Sequence, residues 1–591
     1  MKVFYRVICD FYWSLSDSIA HDLSGLREPT WNNGAMRFFA LLMFTTFLAS
    51  AQTPFEKLVE QFYQEYYNFS PSQGTAVGFH KYDSSLEDYS PAAMEARRKM
   101  FRAYLPKFQD FAPTDNRNLI ISKIQAELLS IDDIPYWKTN PDFYSSGVTE
   151  SIFYLISRKF APPVERLKSV IAREKLIPRL LETARSNLSN PPKIFTEVAL
   201  EQLPGIQSFF GNDVPKAFAE VTDQTLLRDF HTANGAVLQA LTQYQAFLKT
   251  DMLPRSKGDF RIGAENYRKK LLYEEDVDIP IQRLLKIGYQ NLEENRRHLV
   301  AVAKQIDPAK TPNQIADELA ADHPPPDKLL QAFRDTFSSL IAFINSHHII
   351  TIPSPVEPIL EETPPFMRAL TTASMDPPGP YETKATEAYF NVTLPESNWP
   401  RERVREFMTA FNRGTIESTA IHEAYPGHYV QLLWFRQVPT MVRKLSQANS
   451  NVEGWAHYTE QMMLDEGYGN NDPKLRFGQL IDALLRNCRY IVGLEMHTGR
   501  MTYEQGIQFF IKQAYMTRDY AERETKRGTS DPTYLVYTLG KLQILKLRED
   551  YRQKLGAAFN LEQFHTEFVK QGGIPIAIIR KAMLRNDSPS L

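Results

Sequence analysis

Between residues 54 and 253, apolar and aromatic positions recur at steps of three and four. Leu58, Phe62 and Tyr66 open the pattern, and Ile124, Leu128 and Leu129 continue it. That period marks one buried face of an α-helix. Breaks at Pro71, Pro113, Pro141, Pro162-Pro163, Pro191-Pro192 and Pro204-Gly205 divide the run into separate helices. A second section begins near residue 259. Ile281, Leu284, Leu285, Gly288 and Leu292 form an apolar stripe backed by Glu293, Glu294, Arg296 and Arg297, which predicts an amphipathic helix. A loop at 322–327 restarts a helix over 329–343. The texture then changes: 349–359 and 389–393 mix apolar and polar residues with β-branched ones and predict short strands around a turn at 376–381. Prolines leave the first of them an edge strand at best, and such an edge can pair with an extended peptide. A helix over 451–466 stops at Gly467. Another starts at Ser530-Asp531-Pro532, with Asp531 as its N-cap. The pattern predicts a mainly α protein with a small β-sheet, and no repeat of fixed period interrupts it.

Composition narrows the function classes. The 591 residues are 43% hydrophobic and 23% charged, as in ordinary folded proteins, and the net charge is −2. No basic footprint for nucleic acid or a polybasic membrane surface is present. Met36-Arg37 precedes an apolar run at 38–48 and then Ala49-Ser50-Ala51-Gln52, the three parts of a secretory signal. The run is shorter than the about 20 residues a membrane span needs. We therefore expect an upstream extension at 1–35, a signal peptide at 36–51 and a periplasmic or secreted protein with no stable membrane span. The mature chain would consist of an N-terminal helical lobe (52–255) and a catalytic lobe (256–591). The alternative for the apolar run is a buried helix of a genuine N-terminal extension. No cysteine follows the cleavage site, so a lipoprotein anchor is not indicated. Cys9 and Cys488 are the only cysteines, which excludes a Cys-rich zinc site and leaves Cys488 as a small buried hydrophobe.

The chemistry concentrates at 421–431, Ile-His-Glu-Ala-Tyr-Pro-Gly-His-Tyr-Val-Gln. Imidazole is the commonest protein ligand for zinc, and a glutamate after the first histidine is where zinc hydrolases keep their general base. His422 and His428 stand six positions apart, which would separate them on an unbroken helix, but Pro426-Gly427 can turn His428 back. Glu453, 25 residues past His428, is the candidate third ligand. Its alternative is a helix N-terminal carboxylate favoured by the macrodipole. His457, one turn on, is placed to orient a ligand. One zinc ion on His422, His428 and Glu453, with Glu423 as base, would make a hydrolase. Tyr534, Tyr537 and His497 are candidate donors to an oxyanion. Arg489 and Tyr389 are candidate substrate contacts; Arg486 and Arg489 either bind a peptide carboxylate or pair with acidic neighbours.

These residues carry a resemblance. His422-Glu-Ala-Tyr-Pro-Gly-His428-x-x-Gln431 resembles the His-Glu-x-x-Pro-Gly-His-x-x-Gln signature of the DUF885 family, bacterial proteins similar to gluzincin-type zinc metallopeptidases. Glu453-Gly-Trp-Ala456 with Tyr458, the 498–505 block and the 532–548 block resemble further family blocks, and the likeness runs from about 55 to near 585. It implies a two-lobed, helical, zincin-like metallopeptidase with a small sheet beside a deep cleft. The same ligands and base carry over, and Tyr537 matches the family's tyrosine before a glycine. Two features depart from related patterns: two residues more than His-Glu-x-x-His, and Met501 where the family often has tryptophan, a change expected at the cleft wall. The expected activity is zinc-dependent hydrolysis of short peptides; a zinc amidase for a non-peptide or cell-wall amide and a metal-free binding protein are the alternatives.

Overall fold

Proline, with its fixed φ and no N–H to satisfy, starts many of the helices: Pro71–Ala76, Pro91–Gln109, Pro163–Glu174, Pro312–Ala320 and Pro473–His497 each carry one in the first turn. Side-chain caps add to this. Ser90 accepts the N–H of Ala93, Asp223 those of Thr225 and Leu226, and Thr311 with Gln314 forms a capping box. The computed structural model describes residues 52–364, 367–368 and 371–591. The upstream extension and signal peptide expected at 1–51 lie outside them.

The three- and four-residue period emerges as helices, and their apolar faces close into separate cores. Ile152, Leu155, Leu167, Val170, Leu203 and Leu241 centre one, which Ala385 joins. Leu284, Leu292, Leu484, Ile491, Phe510 and Leu539 centre the other, with Cys488 and Met501 packed into it. Cys488 is thus the buried hydrophobe expected, and Met501 is also a buried member of this core. Residues 58–591 form one compact unit around both cores. Among the described residues no helix is long and apolar enough to cross a membrane.

The sheet is smaller than the pattern suggested and differently placed. Its strands are β1 (Ile359–Glu362), β2 (Ala373–Asp376) and β3 (Tyr389–Val392), in the order β1-β3-β2. β3 runs parallel to β1, with Leu360 opposite Phe390, and antiparallel to β2, with Met375 opposite Phe390. Residues 349–358 are not a strand. They run beside other elements instead, where Trp434 donates to the Thr351 carbonyl and His565 bonds that of Ile349. Phe390 and Val392 are fully buried, so the 389–393 segment is the central strand and the edges are β1 and β2.

Six helices of the C-terminal half frame the candidate chemistry: α1 (Arg413–Glu423), α2 (His428–Phe435), α3 (Asn449–Asp465), α4 (Pro473–His497), α5 (Arg518–Ser530) and α6 (Val536–Leu555). α1 packs between α3 and α4, with β2 also against it. α3 and α6 meet backbone to backbone. A Cβ on Gly540 would stand 1.7 Å from the Ser450 carbonyl oxygen, and one on Gly454 would stand 2.5 Å from the Cα of Gly540. α6 begins at Val536, five residues later than Asp531, because 532–535 form a turn.

Glu275 closes the start of α3. Its two oxygens accept the N–H groups of Asn449 (3.2 Å) and Ser450 (2.9 Å). Burial raises this carboxyl from 4.5 to about 7 in spite of those bonds. A folded value above the unfolded one gives stability that is complete below about pH 4.5 and is lost as pH rises through 7. Urea unfolding at pH 4.5 and 8 should show the wild type losing up to about 3 kcal/mol more than Glu275→Gln over that interval. Equal slopes would show that the carboxyl titrates normally.

Candidate metal centre

α1 ends at Glu423 and α2 begins at His428, so Ala424 to Gly427 make the turn between them. The Tyr425–Pro426 bond is cis. Gly427 donates its N–H to the Ile421 carbonyl (3.0 Å), and a Cβ there would stand 1.8 Å from the His422 carbonyl oxygen. Only glycine permits that approach. Trp455 of α3 secures the turn from below, donating its indole N–H to the Pro426 carbonyl (2.9 Å) with its ring stacked on Phe568. Gln431 donates to the Asn451 side chain (2.9 Å), which in turn donates to the carbonyls of Gly572 and Ile574. The rings of His422 and His428 consequently stand 4.8 Å apart, edge to face.

Glu453 completes a triangle. Its Oε2 lies 3.5 Å from Nε2 of His422 and 3.5 Å from Nε2 of His428. Ligands held at zinc-like bond lengths and tetrahedral angles are roughly 3.3–3.6 Å apart, and both Glu453–imidazole distances match that spacing. An oxygen of Glu423 lies within 4.8 Å of a ring nitrogen of each histidine. Glu423 therefore stands close to both imidazoles, as Glu453 does. Glu423 Oε2 and His428 Nδ1 have no hydrogen-bond partner among the described residues.

Behind the triangle sits a buried carboxylate outside the ligand set that the sequence pattern marks. Glu460 Oε1 receives His422 Nδ1 (2.6 Å) and Arg486 Nη2 (3.0 Å), and Oε2 receives His457 Nδ1 (3.1 Å). Burial opposes its charge, yet Arg486 first, then His457 and His422, hold its carboxyl well below the usual range. Burial likewise opposes a charged His422, but Glu453 and Glu460 outweigh it and raise the imidazole to about 9. The site favours positive charge at this point, from a proton or from a metal. His457 therefore acts one step further back than expected: it touches Glu460, and Glu460 orients the ligand. Glu453, His457 and Glu460 at steps of four and three share one face of α3, and that spacing was the available signal.

Of the expected donors, Tyr537 is the one that lies beside His422. Its ring lies nearly parallel to that of His422, 6.5 Å between centroids. Its hydroxyl accepts from Arg527 Nη2 (3.1 Å), and burial raises the phenol, so the ring keeps its proton. Tyr534 falls in the turn before α6 and points elsewhere: a Cβ on Gly528 would stand 2.3 Å from its hydroxyl. His497 goes to the same place, with Nε2 donating to the Gly528 carbonyl (2.8 Å) and Nδ1 taking the Ile262 N–H (3.4 Å). Burial lowers that imidazole to about 4, and neither nitrogen is left for substrate. Arg489 is locked to Glu524 by two bonds (2.7 and 2.8 Å). Tyr389 sits in the sheet with Arg158 over its ring (5.9 Å), and Arg158 is bound to Asp376. A cavity of about 540 Å³ lined by Asp115, Lys123 and Lys581, among others, holds none of the triangle residues.

These features define a helical protein with two buried histidines, a buried Glu423 and a half-buried Glu453 gathered at a broken helix. The chain belongs to the DUF885 family, whose profile, described as a bacterial protein of unknown function, matches residues 71–583. A solved candidate lipoprotein of unknown function from Shewanella oneidensis is similar, with 28% identity and a TM-score of 0.75 over 90% of this chain and 100% of that one. A candidate lipoprotein from Colwellia psychrerythraea shares the fold at 18% identity and a TM-score of 0.75, over 90% and 98% of the two chains. No curated protein matches the chain.

Gly427→Ala is expected to lower stability by about 1–3 kcal/mol, because the clash is with backbone and cannot be relieved by a rotamer. Trp455→Phe, which loses one hydrogen bond and keeps a ring, should cost less, about 1 kcal/mol. Thermal unfolding of both variants checks the order; a silent Gly427→Ala would mean that the turn relaxes freely.

Proposed function

We propose that this protein is an exported zinc-dependent peptidase that hydrolyses short peptides, built as a two-lobed, zincin-like fold with the two cores as its lobes. The observation that carries the reading is the single Glu453 oxygen at 3.5 Å from both imidazoles, with an unpartnered Glu423 oxygen beside them. His422, His428 and Glu453 would hold the ion, and their nitrogen and carboxylate donors suit zinc. A bound zinc ion would polarise the scissile carbonyl and make a water more acidic.

The chain's own residues supply the remainder. Glu423 Oε2 takes the proton of the attacking water and returns it to the leaving amine. The Tyr537 hydroxyl accepts from Arg527 and keeps its own O–H to donate to the developing oxyanion. Glu460 fixes the His422 ring, since Nδ1 bonded to a carboxylate leaves Nε2 aimed at Glu453. β2 is an edge strand packed against α1, and a peptide in extended form has a backbone partner there. Export rests on the signal-like segment at 36–51.

Purified from metal-replete medium, the wild type should carry one zinc per chain, and His428→Ala should lose it. Glu460→Gln should bind zinc about 10–100-fold more weakly. Glu423→Gln should keep the metal and lose about 10²–10⁴-fold in turnover on a peptide library. Unchanged turnover in Glu423→Gln would remove that residue as the base. A wild type well short of stoichiometric metal would overturn the reading and favour a binding protein.

A further inference from the structure

Three guanidinium groups surround Tyr537. The Cζ atoms of Arg486, Arg489 and Arg527 lie 5.8, 5.1 and 6.0 Å from its ring centroid. Two of these cations are consumed. Arg486 is held by the buried Glu460 at 3.0 Å, and Arg489 by both oxygens of Glu524. Arg527 differs in each respect. Its nearest carboxylate oxygen, Asp531 Oδ2, is 3.4 Å away, and the two side chains are 36% and 41% exposed. An ion pair that open to solvent is screened and contributes little stability. Its one short bond is the 3.1 Å donation to the neutral Tyr537 hydroxyl. Both contacts leave from Nη2, while a guanidinium carries five N–H donors in a flat fork shaped for a carboxylate.

The distance to the proposed chemistry is short. Arg527 Cζ stands 6.0 Å from the Tyr537 ring, which stands 6.5 Å from the His422 ring. Those two steps amount to at most about four residues of extended chain, at about 3.3–3.6 Å each. A peptide whose scissile bond lay at the His422–His428–Glu453 triangle would carry a group one to three residues away into the reach of Arg527.

We infer that Arg527, steadied by the Tyr537 hydroxyl, forms a carboxylate subsite that selects peptides bearing a free carboxylate within a few residues of the cleaved bond. The inference rests on the peptidase reading for its register, but the subsite is testable without hydrolysis. The carboxylate is that of a chain terminus or of an acidic side chain, and the test separates the two. Acetylated alanine pentapeptides are prepared with a free C-terminal carboxylate, with a C-terminal amide, and as the amide with one Glu replacing Ala at each position in turn. Binding is measured by calorimetry on zinc-loaded Glu423→Gln, and cleavage is followed with the wild type.

The free acid, or one of the Glu-bearing amides, should bind at least tenfold more tightly than the plain amide. That preference should fall to near unity when Arg527→Ala or Arg527→Gln is added, and Arg527→Lys should restore part of it. A preference for the acid assigns the subsite to a chain terminus; a preference for a Glu peptide assigns it to a side chain. Equal binding of all forms, or a preference that survives both neutral substitutions in folded protein, overturns the inference. Carboxylate-selective binding without cleavage by the wild type would leave the subsite standing and remove the peptidase reading. Cleavage with no carboxylate preference would do the reverse.

Discussion

Gly427 lies over the carbonyl of His422 with room for a hydrogen and nothing larger, and the arrangement of the site depends on that approach. On a continuous helix of about 3.6 residues per turn, side chains six positions apart face different directions. Stopping α1 at Glu423 and restarting at His428 folds the second imidazole back against the first. The backbone alone would not keep such a turn in place. Trp455 bonds the Pro426 carbonyl, and Gln431 is tied through Asn451 to the carbonyls of Gly572 and Ile574. The residues around the two histidines that look like sequence decoration are therefore the struts of one bend.

Electrostatics sorts the side chains that the bend collects. A carboxylate as buried as Glu460 is unfavourable unless its oxygens are filled, and here Arg486, His457 and His422 fill them. One anion thus sets the ring of His422 and withdraws Arg486 from any solvent-facing role. Glu524 does the same to Arg489. Cations that a sequence presents as equivalent become unequal once their partners are known, and the partly exposed Arg527 is the one whose fork stays open.

Much of this was legible beforehand, for physical reasons. The helical period of 54–253 and the stripe from Ile281 to Leu292 reflect burial on one face, which tertiary context seldom overturns. His422, Glu423, His428 and Glu453 could be singled out because ligand chemistry admits few residue types. What could not be read depended on local backbone or on distant partners. Residues 349–358 have strand-like composition but spend their carbonyls on Trp434 and His565. Tyr534 and Tyr537 are three apart, yet the turn at 532–535 sends the first to Gly528 and leaves the second at His422. Glu460 was visible only as the third member of a helical face, and no sequence rule separates Arg527 from Arg489 without Glu524 beside it.

The touching glycines of α3 and α6 have a consequence for how the site keeps its dimensions. Glu453 immediately precedes Gly454, and Tyr537 lies one helical turn before Gly540. The carboxylate of one helix and the phenol of the other are thereby spaced from a common datum, a stretch of bare backbone with no adjustable side chain in it. Rotamer changes elsewhere can alter the walls around the two groups without altering the gap between their helices. The site is gauged by a contact that takes no part in its chemistry.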